Sequence, residues 1–156
     1  MAVFGMLNWF YIWHRPGQGI SREEYADLVE ILDRAVTVAE DDETRVRIYS
    51  QLGLVWGECL QRDNNALDNW ENVLSIEPEN MPALKAIAEI HEANKEWDRL
   101  LDTLDTIITV GSSVFEEAEL KGYYAKQGTI FSDILDQPID AIESWRSAYD
   151  VDPTDL

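Results

Sequence analysis

His14, His91 and Cys59 are the side chains of this 156-residue chain best equipped for metal or nucleophilic chemistry, and their placement supports neither. A structural zinc site needs paired cysteines or histidines one helical turn apart; here the two histidines lie in distant segments and the single cysteine lies elsewhere. Nucleophilic catalysis needs a base beside the nucleophile and a third group to orient the base, and the sequence offers no Ser/His/Asp or Cys/His set of that kind. Gly17-Gln18-Gly19 has neither the following Lys-Ser/Thr nor the preceding strand of a phosphate loop. The run Glu40-Asp41-Asp42-Glu43 has oxygen ligands enough for a hard cation. It lacks the alternating ligands, central glycine and closing glutamate of a calcium loop, so it is expected to be a solvated connection between helices. With 31 Asp and Glu in the chain, carboxylate pairs at helical spacing arise by chance. The expectation is a chain that is not an enzyme and has no catalytic residues, no metal and no cofactor.

The elements that carry these residues repeat. A shift of 75 positions places Tyr49 on Tyr124, Gly53 on Gly128, Leu60 on Leu135, Ala66 on Ala141, Trp70 on Trp145 and Pro78 on Pro153. Within the first copy Tyr49, Leu52, Gly53, Trp56, Cys59 and Leu60 recur at three- and four-residue steps, which gathers them on one helical face. Ala66, Trp70, Val73 and Leu74 do the same on a second helix. Asp63-Asn64-Asn65 suits the turn and N-cap between the two helices, and Pro78 ends the second, so the unit is a helical hairpin closed by proline. Trp56, Trp70, Trp97 and Trp145 fall where one helix packs on the next, and Cys59 is expected to be a small core residue.

Composition narrows the class further. A 46% apolar share is that of a folded chain, whereas the net charge of −19 repels nucleic-acid phosphates and anionic headgroups. Nucleic acid is excluded as a partner. The apolar stretch from Met1 to Trp13 is too short for a membrane span and lacks the flanks of a secretory signal. With one cysteine and no internal disulfide available, the expected location is cytoplasmic.

The pattern Tyr49-x-x-Leu52-Gly53-x-x-Trp56, then Ala66-x-x-x-Trp70 and Pro78, resembles the tetratricopeptide repeat. The copy Tyr124-x-x-Gln127-Gly128-x-x-Phe131, then Ala141-x-x-x-Trp145 and Pro153, departs only at Gln127. Leu84-x-x-Ile87-Ala88-x-x-His91 with Leu100-x-x-x-Leu104 is a divergent copy between them. The two better copies carry one residue more than the middle copy between the small residue of the first helix and the anchor of the second, and this residue is expected in the hairpin loop. The resemblance implies an all-α, α-solenoid superhelix forming a single domain over 1–156. Its parts are an aromatic leader at 1–20, a second helix at 21–40, and repeats at 44–78, 81–110 and 116–153. Leu7, Phe10 and His14 align with Leu84, Ile87 and His91, which makes the leader an atypical first helix.

What the resemblance implies about function is a protein-interaction scaffold that holds a protein or peptide segment in a concave groove lined by successive first helices. The matching positions are Arg47, Ser50, Leu54 and Glu58, then Lys85, Glu89 and Glu92, then Ala125, Thr129, Ser132 and Asp133. Of the basic pattern that similar arrays use to clamp a partner's terminal carboxylates, Lys126 alone occupies a suitable slot, so that clamp is expected to be absent. The alternative is a self-assembly module, such as a homodimer, that associates through Trp9 and Trp13 of the leader and through Ile142, Trp145 and Tyr149 of the last helix. Charges assigned to the first helices cancel, which leaves the negative excess on the second helices and the loops.

Overall fold

The computed structural model describes residues 21–153. Among these the chain is all-α, with seven α-helices and no strands: α1 (Arg22–Val38), α2 (Asp42–Leu54), α3 (Asp63–Ile76), α4 (Met81–Ala93), α5 (Trp97–Gly111), α6 (Glu117–Asp133) and α7 (Pro138–Val151). A single π-helical turn, Val55–Cys59, prolongs α2. The leader assignments, Trp9 and Trp13 included, lie outside the described residues. The chain divides into two compact units, Met1–Asn69 and Trp70–Leu156, with the boundary inside α3.

Local sequence explains where the helices begin. Ser21 and Glu24 form a capping box: the Ser21 hydroxyl accepts from the Glu24 N–H at 3.2 Å and Glu24 Oε2 accepts from the Ser21 N–H at 2.7 Å. Asp41 caps α2, accepting from the Thr44 N–H at 2.7 Å and from the Thr44 hydroxyl at 2.9 Å. Thus the acidic run 40–43 is a loop only in part; it is exposed throughout, but Asp42 and Glu43 form the first turn of α2, where carboxylates complement the helix dipole. Asn80 caps α4, with Pro82 in its first turn.

These caps predict a pH dependence. The Ser21 N–H holds the Glu24 carboxyl below its ordinary range, and the Thr44 N–H does the same for Asp41. A carboxyl with a depressed folded-state pKa contributes stability above its unfolded-state value and loses it as the pH falls through the folded-state value. Thermal melts are therefore expected to show destabilisation below about pH 4. Asp41→Asn keeps a competent cap that does not titrate, and so flattens part of that slope.

The hairpin turns share one closing hydrogen bond. The N–H of Arg62 donates to the Trp56 carbonyl, that of Glu96 to His91 and that of Gln137 to Phe131, each at 2.8 Å. Just before each donor stands a non-glycine residue in the left-handed region: Gln61 (φ 54°), Lys95 (φ 59°) and Asp136 (φ 54°). The first hairpin turn therefore falls at Gln61-Arg62. Asp63-Asn64-Asn65, expected to be the turn and cap, are already helical. The additional residue of the two better copies is also not in the loop. In those copies the last turn of the first helix carries an i→i+5 bond, Leu60 N–H to Val55 O at 3.0 Å and Leu135 N–H to Ile130 O at 3.1 Å, the Ile130 carbonyl also accepting from Ile134 N–H at 3.2 Å. The middle copy closes with the ordinary spacing, Asn94 N–H to Ile90 O at 3.0 Å. Only glycine occupies the left-handed region without steric cost, so Lys95→Gly is expected to raise unfolding free energy by about 1 kcal/mol in urea titrations.

Each unit has its own core. In the first, Val29 and Leu32 of α1 pack with Ile48 and Leu52 of α2 and with Val55 and Leu60, flanked by partly buried Tyr25, Trp56 and Cys59. In the second, Leu84 and Ala88 of α4, Leu100, Leu101, Leu104 and Ile107 of α5, and Ile130 of α6 form one cluster, against which Leu74 and Trp97 pack. Trp70 is buried. Trp145 departs from the core expectation: its indole lies against Gly128 of α6, yet the residue is 43% exposed, because no described helix covers its outer side. Gln127, the one departure from the repeat pattern, is buried and donates from Nε2 to Asp105 Oδ1 of α5 at 2.6 Å. An amide thus replaces leucine where the neighbouring helix offers an acceptor.

Candidate partner-binding face

In the second unit α4 and α6 are the first helices of consecutive hairpins, and two ion pairs join them. Lys85 Nζ lies 2.7 Å from Glu119 Oε1, and Lys126 Nζ lies 2.7 Å from Glu92 Oε2. Both pairs link residues 34 positions apart with the charge order reversed, so the two helices are tied at one relative height. The hydrogen bond to Glu119 holds the Lys85 ammonium above its ordinary pKa. Lys85 also stands 5.0 Å from the centre of the Phe115 ring, which stacks on Tyr123 at 5.5 Å.

Of the sequence-predicted groove residues, Lys85 and Glu92 are spent on these pairs. Glu89 and Thr129 are exposed, and Ala125 is half-buried. The Ser132 hydroxyl donates to Asp133 at 2.8 Å. On the same exposed side of α6 lies Gly122, where an added Cβ would meet nothing within 4 Å. Lys126 is engaged by Glu92 and is not a free cation for a terminal carboxylate. Arg47, Ser50, Leu54 and Glu58 belong to the first unit. There the Ser50 hydroxyl is bonded back to the Val46 carbonyl at 2.8 Å, Arg47 lies 3.4 Å from the Thr44 hydroxyl, and Glu58 is exposed on the π turn.

Sequence reasoning passed over Glu119 and Tyr123, although opposite charges at a constant spacing of 34 were a readable sign of adjacent helices. It also passed over Glu96. His91 is buried, its Nδ1 lies 2.7 Å from Glu96 Oε2, and that carboxylate also meets Arg99 at 3.4 Å. The pair straps the end of α4 to the start of α5. Burial pushes both the Cys59 thiol and the Tyr25 hydroxyl up from their ordinary pKa values, and the two groups influence each other's titration. Cys59 is only half-buried, at the margin of the core, and its thiol is kept protonated and poorly nucleophilic. Among the described residues no group of three or more His, Cys, Asp or Glu is arranged to hold a metal ion, and no helix is long and apolar enough to cross a membrane.

No protein-family model matches the sequence, and no curated protein matches it either. Among solved structures the chain is similar to the crystal structure of MamA, a TPR-like helical protein, with a TM-score of 0.56 and 14% sequence identity over 85% of this chain and 71% of that one. At that identity the likeness shows the fold: an all-α helical repeat of the TPR-like kind.

Proposed function

We propose that the chain is a non-catalytic scaffold whose first helices hold an extended or helical segment of a partner protein. The observation that carries this reading is the coupling of α4 to α6 through Lys85–Glu119 and Glu92–Lys126. It fixes a surface before any partner arrives, so little ordering cost falls on binding. Glu89, Ala125, Thr129, Ser132 and Asp133 supply its contacts, with small side chains on α6 that let a partner's backbone approach closely. Arg47, Ser50, Leu54 and Glu58 are the contact residues of the first unit in the same reading.

The test is affinity capture with the whole chain as bait, beside Lys85→Glu, Leu54→Arg and Thr129→Arg. Loss of most of the captured partner with Lys85→Glu or Thr129→Arg, while circular dichroism stays that of the parent, is the expected result. Unchanged capture by all three variants overturns the reading. Self-assembly is the second reading, drawn from the exposure of Ile142, Trp145 and Tyr149; the negative charge of the chain opposes it.

A further inference from the structure

The outer face of α7 is open at positions that its counterpart helix keeps covered. In the repeat register Leu101, Leu104 and Ile108 of α5 correspond to Ile142, Trp145 and Tyr149 of α7. The first three are 8%, 1% and 7% exposed, in a unit where α6 packs on α5. The second three are 56%, 43% and 49% exposed. One full repeat earlier, Leu74 stands where Tyr149 stands, and it packs against the cluster to which α4 contributes Leu84 and Ala88. On α5, then, what lies over this register is the first helix of the next hairpin, and on α3 Leu74 meets a cluster that includes first-helix residues.

Charge specifies the occupant further. Asp140, Glu143 and Asp150 are exposed on α7, and none forms an ion pair among the described residues; Arg146 is the helix's single cation. Two copies meeting through this face would bring six carboxylates together around two arginines, in chains already carrying −19 each. We propose that the outer face of α7 is a docking site for an amphipathic helix of a partner protein, with small and branched apolar residues on one face and Lys or Arg along its edges. The helix lies on Ile142, Trp145 and Tyr149 as α6 lies on α5, and its cations meet Glu143 and Asp150 at the rim. This site is separate from the α4–α6 surface.

The probe is a fluorescein-labelled peptide with the sequence of residues 80–95, which covers α4, made in its natural form and with E89K and E92K. Anisotropy titrations use the full chain, together with Ile142→Asp, Tyr149→Asp and, as a control on the other surface, Thr129→Arg. The basic peptide is expected to bind about tenfold more tightly than the natural one, through exposed ion pairs, and to lose that advantage in high salt. Ile142→Asp and Tyr149→Asp, both at exposed positions that leave the core intact, are each expected to abolish binding, and Thr129→Arg to leave it unchanged. The proposal is overturned if neither peptide saturates the chain, if the natural peptide binds as well as the basic one, or if Thr129→Arg blocks binding while the α7 variants do not. It is also overturned if light scattering shows a dimer that Ile142→Asp dissolves and the basic peptide does not, because the occupant is then a second copy.

Discussion

Leu104→Ala is expected to lower the unfolding free energy by about 3 kcal/mol, a loss that combines the transfer energy of the deleted carbons with the cavity left behind. Leu104 is at the centre of the second unit's core and is 1% exposed, with Leu100, Leu101 and Ile107 around it on α5, Leu84 and Ala88 on α4 and Ile130 on α6. Three helices converge on the site and each is held by several other contacts, so the cavity does not collapse easily. Urea unfolding followed by far-UV circular dichroism measures the loss as a shift in midpoint with little change in slope. A loss below about 1 kcal/mol would mean that the α4–α5–α6 cluster is not the principal core of this unit.

Gly128→Ala is expected to destabilise by about 2 kcal/mol, against the usual rule that alanine improves a helix interior. A Cβ at this position would stand 2.2 Å from Nε1 and 2.4 Å from Cδ1 of Trp145, so the indole or α7 itself must move. Gly122, on the exposed side of the same helix, supplies the control. An added Cβ there meets nothing, and Gly122→Ala is expected to stabilise by about 0.5 to 1 kcal/mol. Measured together by chemical denaturation, the two substitutions are chemically identical and opposite in sign. If both stabilise, the close approach of α6 to Trp145 does not constrain this hairpin. Trp145 fluorescence is also expected to change in Gly128→Ala and not in Gly122→Ala.

The same glycine shows what could be read from sequence and what could not. Gly128 was legible because it recurs 75 residues after Gly53 at the slot where two helices approach, and the alternation of small and aromatic positions identified the hairpins and the second-helix anchors. Gln127 was legible only as a departure, since its reason, Asp105, lies on a different helix and follows no period. His91 stands in the slot of Trp56 and Phe131, so its packed position was legible; its partner was hidden for the same cause, because Glu96 lies across a turn whose geometry rests on a left-handed Lys95. Trp145 reads two ways, as a core anchor by its motif slot and as an outer contact with Ile142 and Tyr149 in the self-assembly alternative, because a repeat motif states which side chains can pack and not which helix lies over them. The candidate face is carried by α4 and α6. Their coupling changed the meaning of Lys85 from a contact for a partner to a strut between helices, and Lys126, which the sequence left without a role, is the second strut.

The widened turns at the ends of α2 and α6 carry a consequence for how such chains vary in length. The extra residue lies in a turn that carries an i→i+5 bond, Leu60 to Val55 in one hairpin and, beside the ordinary Ile134–Ile130 bond, Leu135 to Ile130 in the other; the closing bond then spans six residues instead of five, and the left-handed residue still precedes its donor. In both of these hairpins the extra residue sits upstream of the left-handed position, so the connection to the second helix stays short. Deleting one residue from either widened turn therefore shortens a helix end and leaves the hairpin connection as it was. Any alignment of these repeats that places its gap in the loop shifts the last turn of the first helix by one position and misassigns which of its side chains face the core.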